Sequence, residues 1–345
     1  MSLANCQDCY LSEVRTPMIK IIAEIGSVHD GSFGNALKLI EAASAAGADA
    51  VKFQTHIAEA ESVASAPAPA YFSDEPRLAY FRRTSFTMEQ WKRLAEHAAG
   101  SGVTFLSSPF SLEAVDLLEE LGMAAYKIPS GEVSNIPLLE RIAQTGKPVL
   151  LSSGMSAWEE LDLAVATVRG ACATTVMQCS SAYPCPPERV GLNVMKEMAQ
   201  RYGLPVGYSD HTMGLAAPVA AAALGATVVE KHFTFSRKMY GSDAKHSMEP
   251  DEFKQMVTAL REVWTMLDNP ISKSDTAPYA EMKRIFEKSI VAARVIVAGE
   301  IITAEALAFK KPGDGIPARD YQRLLGRTAK RAMQSDHKLT EDDLN

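Results

Sequence analysis

Eight short β-branched runs, each followed by a stretch with helical apolar spacing, fill the chain from residue 19 to residue 268. The runs are Ile19–Gly26, Ala48–His56, Val103–Phe110, Ala124–Ser130, Lys147–Gly154, Thr174–Ser181, Leu204–Thr212 and Thr227–Phe235. Between them lie amphipathic stretches such as GNALKLIEAASAAG and TMEQWKRLAEHAAG, and the last, PDEFKQMVTALREVWTML, opens with Pro250 and two acids as a helix start should. Strand–helix alternation makes parallel strands joined by right-handed crossovers. Eight units in about 250 residues is the count and size of a (β/α)8, or TIM, barrel. A doubly wound open sheet would need a GxGxxG turn after its first strand, and that turn is absent. The expected class is therefore α/β, with segment 1–18 ahead of the barrel (19–268), a polar linker (269–282) and a small β-rich domain (283–345). Residues Ile57 to Ser85, rich in Ala, Ser and Pro, read as a βα loop over the barrel mouth.

In such a barrel, catalytic groups come from the C-terminal strand ends. Those ends carry Glu24; Lys52 and Gln54; Ser107 and Ser108; Lys127 and Ser130; Ser152; Ser180 and Ser181; Ser209, Asp210 and His211; Glu230 and His232. Lysines, glutamates and histidines inside apolar runs must titrate, pair or bind a ligand, because a lone buried charge is costly. In TVVEKHFTF, Glu230 and His232 share parity, so both can face the barrel mouth while Lys231 faces outward. His211 and His232 end neighbouring strands, where two imidazoles can hold one divalent ion with Glu24 or Glu230 as carboxylate support. Lys52 and Lys127, with the surrounding serines, suit a substrate bearing phosphate or carboxylate. Taken singly, each lysine also fits a solvated role, and Lys127 a Schiff base.

Composition narrows the function classes. A net charge of −7 without a Lys/Arg stripe argues against nucleic acid. No apolar run reaches the roughly 18 residues of a membrane span, and the first twenty residues lack a signal-peptide core. With five cysteines, an odd number, the chain reads as a cytoplasmic protein with reduced thiols. Cys6 and Cys9 form a lone CxxC without the second pair that a zinc ribbon needs.

The strand-end stretches resemble the successive motifs of the sialic acid synthases: AEIGSVHDGS, ADAVKFQTH, FLSSPF, YKIPSGEVSNIPLLE, VLLSSGM, CSSAYPCP, VGYSDHTMG and VEKHFTF. The tail, with SIVAARVIVAGEIIT and KPGDGI, is similar to that family's antifreeze-like SAF domain of β-clip fold. Details such as YPCPPERVGLN and MYGSDAKHS look most like the branch named for spore-coat polysaccharide biosynthesis protein E. The resemblance implies a transferase that condenses phosphoenolpyruvate (PEP) with an N-acylated amino sugar to give a nine-carbon 2-keto acid and phosphate. The acceptor would be N-acetylmannosamine or a related 2,4-diacetamido sugar. It implies that His211 and His232 bind a divalent metal, Mn²⁺ foremost, with Mg²⁺, Co²⁺ or Zn²⁺ as alternatives. Lys52, Ser108, Lys127, Ser130, Ser152, Ser181 and Ser209 match positions that grip PEP. Glu24, Gln54, Tyr183 and Asp243 match positions around the sugar, and Glu24 and Glu230 would handle protons. It further implies a homodimer whose SAF domain covers the partner's active site.

The chain also departs from the family pattern. Val28 stands where Asn usually precedes the His of the first motif, Gln178 where many members have His, and Ser181 where Asn often follows. Lys311 replaces the usual Arg that reaches the sugar's N-acyl group, and the two cations are not interchangeable at such sites. PEP and metal positions are kept while sugar-reading ones have moved, which points to an acceptor other than N-acetylmannosamine. Two other readings stay open: a metal-dependent PEP or aldol condensation on a phosphorylated sugar, and a non-catalytic sugar-binding protein.

Overall fold

The computed structural model describes residues 20–67 and 75–345, so Cys6, Cys9 and Ile19 lie outside the described residues. Eight parallel strands close into a barrel: β1 (Ile21–Gly26), β2 (Ala50–Thr55), β3 (Thr104–Pro109), β4 (Tyr126–Ile128), β5 (Val149–Ser152), β6 (Thr174–Cys179), β7 (Val206–Asp210) and β8 (Val229–His232). The ring is sealed by pairing of β1 with β8, Ile21 opposite Val229 and Glu24 opposite His232. Every expected strand forms, each shortened by a few residues, and C-terminal residues that leave the ladder, such as Ser130, Ser181 and His211, line the mouth.

The outer layer holds α1 (Phe33–Ala45), the short α2 (Ala58–Glu61), α3 (Arg77–Thr84), α4 (Met88–Gly100), α5 (Leu112–Glu120), α6 (Ile136–Ala143), α7 (Trp158–Val168), α8 (Leu192–Tyr202), α9 (Ala216–Ala223) and α10 (Pro250–Asp268). Sequence-coded caps start several of them. Ser32, Ser111 and Asn135 each accept from a backbone N–H of the first turn, and Thr87 with Gln90 makes a full capping box. Strands buried on both sides read as continuous apolar runs, and Ile21, Ile22, Val51, Leu106 and Val229 are wholly buried in one core. The segment expected as a plain loop after β2 carries α2 and α3, whose Tyr80 and Phe81 bury against Ala58 in a small core of their own.

The chain divides at Asp268/Asn269 into two compact units. The second contains α11 (Ala280–Phe286), which runs across the boundary expected between linker and small domain, and an antiparallel pair, β9 (Ser289–Ala292) and β10 (Leu307–Lys310). Isolated bridges such as Ile296 to Met333 and Ile301 to Thr328 complete it around Ile290, Ile302, Leu324 and Leu339. Among the described residues no helix is long and apolar enough to cross a membrane.

Candidate active site

The C-terminal strand ends of the barrel open into a cavity of about 420 Å³. Its wall includes Glu24, Lys52, Gln54, Lys127, Ser130, Ser152, Ser181, Tyr183, Ser209, His211, Glu230, His232 and Asp243. Strand register places these groups side by side. Glu24 on β1 pairs with Lys52 on β2, and Ser209 on β7 pairs with Glu230 on β8.

Four buried charges form the floor. Lys52 Nζ lies 2.7 Å from Glu24 Oε2 and 3.7 Å from Glu230 Oε1, and Lys127 Nζ donates to the same Glu230 oxygen at 3.1 Å. Ser209 Oγ donates a second hydrogen bond to that oxygen at 3.1 Å. The two carboxyls are driven apart. Burial pushes Glu24 up, Lys52 opposes it and the neighbouring Glu230 charge adds to it, leaving Glu24 at about 7. Burial acts on Glu230 too, but Lys127 and Lys52 outweigh it and hold that carboxylate down at about 2. Burial alone would lower Lys52, yet Glu230 and Glu24 keep it above the ordinary lysine range. Near neutral pH the floor thus holds one permanent anion and one carboxyl that can exchange a proton.

Opposite the floor stands a fan of hydroxyls. Gly154 lets it assemble: a Cβ there would meet Ser181 Oγ at 2.3 Å and Ser130 Oγ at 2.5 Å. Ser152 Oγ is buried with no hydrogen-bond partner among the described residues, a donor available to a ligand. Gly26, at φ +54°, lets Asp243 Oδ2 approach from above; a Cβ would stand 2.7 Å from that oxygen.

The imidazoles of His211 and His232 face each other with ring centroids 5.4 Å apart, and Tyr183 lies against His211 at 4.1 Å. His211 Nδ1 is 2.8 Å from the Ser180 carbonyl, which can only accept, so Nδ1 holds the proton and Nε2 is left with its lone pair. Burial lowers His232 to about 4, and its Nδ1 has no hydrogen-bond partner among the described residues. Burial also acts against a charged His211, but the adjacent Cys179 pulls it upward. Two buried nitrogen donors aimed at one cavity suit a divalent ion with open positions.

Several expectations need correction. Among the described residues, no three His, Cys, Asp or Glu side chains converge as a metal cluster, because Glu24 and Glu230 are committed to Lys52 and Lys127. Asp210 does not face the mouth. It turns outward with Lys231, which donates to it and to the Thr212 carbonyl, while Tyr208 Oη donates to it at 2.8 Å. Ser108 lies behind the wall, 3.3 Å from Lys52 Nζ, rather than on it. Lys311 lies in the second unit, as expected of a SAF-domain residue, its Nζ 4.9 Å over the Phe286 ring.

The cavity wall also contains groups that strand-end reading missed: His56, Arg77 and Phe81 from the β2 end and its insertion, Cys179, and His246 beyond β8. Two were within reach of it. His56 stands two residues after Gln54 and Cys179 two before Ser181, so each shares its neighbour's parity.

Comparison with known proteins agrees with this geometry. Residues 39–272 match the NeuB family and residues 287–345 the SAF domain. The chain is 39% identical to N,N'-diacetyllegionaminic acid synthase of Campylobacter jejuni, over 93% of this chain and 98% of that one. It is 33% identical to N-acetylneuraminate-9-phosphate synthase of Homo sapiens, over 93% and 91%. Among solved structures it is similar to a spore coat polysaccharide biosynthesis protein of Bacillus subtilis, with a TM-score of 0.64, 30% identity and 95% of each chain covered. The chain belongs to the NeuB family, whose members are carbon–carbon bond-forming transferases.

Proposed function

We propose that this enzyme condenses PEP with an N-acylated amino sugar, releasing phosphate and giving a nine-carbon 2-keto sugar acid of the kind built into surface or spore-coat polysaccharides. The observation that carries the reading is the cavity's polarity. Lys52, Lys127 and the serine fan offer charge and donors to a phosphate and a carboxylate, while the same cavity presents paired imidazoles to a neutral carbonyl. Similarity to a legionaminic acid synthase, together with Gln178, Ser181 and Lys311 at shifted positions, supports a 2,4-diacetamido sugar as acceptor over N-acetylmannosamine.

His211 and His232 would hold a divalent metal, Mn²⁺ first, and that ion would supply Lewis-acid polarisation of the acceptor carbonyl. The protein's own groups do the rest. Lys52 and Lys127 bind and orient PEP with its enol carbon toward the imidazole side. Glu230, anionic throughout the working pH range, faces the positive charge that develops at C2 as the enol carbon attacks. Glu24, at about 7, passes a proton to the acceptor oxygen and is recharged from the water that adds at C2. Phosphate then leaves from the tetrahedral centre. A homodimer in which the SAF domain covers the partner's barrel mouth, shielding this step from bulk water, is part of the same reading.

The test is phosphate release from PEP with Mn²⁺ across N-acetylmannosamine, its 6-phosphate and 2,4-diacetamido-6-deoxy sugars. Release with a diacetamido sugar, abolished by chelation, is the expected result. Silence with every acceptor from folded dimeric protein would refute it.

A further inference from the structure

A second hydrogen-bonded chain leaves the cavity wall and runs into the insertion after β2. Gln54 Nε2 donates to Glu24 Oε1 at 2.8 Å, and the other end of the same amide, Oε1, lies 3.1 Å from His56 Nε2. His56 Nδ1 in turn lies 2.6 Å from Glu61 Oε2, a buried carboxyl at the end of α2. The His56 ring is clamped between Phe81 of α3 and Phe110, with centroids 3.9 and 4.1 Å away and planes within 20°. The stack fixes the plane of the ring, and Glu61 fixes its rotation within that plane.

An amide turned end for end keeps its shape but exchanges donor for acceptor. Gln54 stands in the cavity wall beside Gly26 and Glu24, so its orientation decides whether a ligand meets N–H or C=O. That orientation is settled by what its far end touches, and the far end touches His56. Both neighbours of the ring are acceptors, the Gln54 carbonyl and the Glu61 carboxyl, so the buried His56–Glu61 pair holds two protons, one on Nε2 and one between Nδ1 and Glu61 Oε2. We propose that His56, locked by Glu61 and the two phenylalanines, is a positioning residue that holds the Gln54 amide with its N–H₂ toward Glu24 and the cavity, and so tunes binding of the sugar acceptor rather than of PEP. This rests on the reading of Gln54 and Glu24 as acceptor-side groups. The chain touches the PEP side only at Lys52, through Glu24 Oε2, while Lys127 and the serine fan stand outside it, so the effect on PEP binding is the smaller one. The insertion therefore acts as a clamp on the site, since Glu61 and Phe81 both come from it.

Two variants test this. His56→Gln keeps an amide N–H₂ where Nε2 stood. The double variant His56→Phe, Glu61→Met keeps the aromatic stack and removes donor and buried carboxylate together; Arg77, whose Nη2 lies 3.8 Å from Glu61, loses that partner but keeps its access to water, its side chain being 31% exposed. With the acceptor that the wild type uses, the double variant should raise acceptor KM about tenfold and leave PEP KM within about twofold, while His56→Gln stays within about threefold on both. An unchanged acceptor KM in the double variant, or a PEP KM that rises in step, overturns the proposal. A second readout needs no turnover: the Gln54 side-chain N–H₂ pair in ¹⁵N-glutamine-labelled protein, assigned by its loss in Gln54→Met. Its exchange with solvent should quicken at least about tenfold in the double variant, and equal rates would overturn the proposal. If the wild type turns over no acceptor but the exchange rates differ as expected, it is the function reading that fails and the positioning that stands.

Discussion

Replacing Glu24 with Gln gives the sharpest test of the electrostatics at the cavity floor. The carboxyl sits at about 7 in the folded protein against an ordinary 4.5, chiefly because it is buried, and because Glu230 adds to the effect. The folded state therefore holds this proton more tightly than the unfolded chain. Its stabilising contribution is fully present below pH 4.5 and is lost as pH rises through 7. At about 1.4 kcal/mol for each pH unit, the loss is roughly 3 kcal/mol between pH 4.5 and 8. Gln cannot titrate, so the variant lacks this slope. Glu230, held at about 2, stays ionised across the same window and adds nothing to the difference. Urea unfolding in the presence of EDTA, at pH 4.5, 6 and 8, reads it directly. Trp91, Trp158 and Trp264, the chain's three tryptophans, all lie in the first unit, so their fluorescence follows the barrel. Wild-type stability minus that of Glu24→Gln should fall by about 3 kcal/mol from pH 4.5 to 8. A difference that is flat with pH, or that grows, would refute the assignment of Glu24 as the proton-exchanging carboxyl.

Gly154→Ala should push Ser130 and Ser181 aside and raise PEP KM about tenfold, with little change in Tm because serine side chains can yield; a PEP KM equal to wild type would contradict the serine fan. Lys231→Met should cost about 3–5 kcal/mol in urea unfolding by stranding Asp210, yet leave kcat per folded molecule unchanged, and a selective loss of kcat would show that Lys231 reaches the chemistry. His232→Ala should weaken Mn²⁺ binding by about 100-fold or more in calorimetric titration while the far-UV spectrum is kept; undiminished binding would remove the imidazole pair as the metal site.

The barrel was readable because its signal is periodic and repeated eight times, so errors of two or three residues at strand ends did not disturb the count. Parity did the same for the site: Glu230 and His232 line the cavity, and Lys231 between them turns to Asp210. The same alternation turns Asp210 outward, because Ser209 and His211 on either side of it line the cavity. Ser108 bonds to Lys52 without lining the cavity, because Lys52 is long enough to stand in front of it. Glu61 and Phe81 escaped because their association with His56 depends on how the insertion folds back, and no periodicity encodes that. The split between Glu24 and Glu230 is also invisible in sequence. It depends on which lysine reaches which oxygen.

The central claim is that this cavity joins the enol carbon of PEP to a sugar carbonyl. Incubating the enzyme with [3-¹³C]PEP, Mn²⁺ and a 2,4-diacetamido-6-deoxy sugar, and following the label by NMR and mass spectrometry, tests it most directly. The account predicts that the label moves into the C3 methylene, next to the keto carbon, of a nine-carbon 2-keto acid, in equal amount to the phosphate released. Label recovered as pyruvate, or left wholly in PEP while the acceptor is bound, would contradict it.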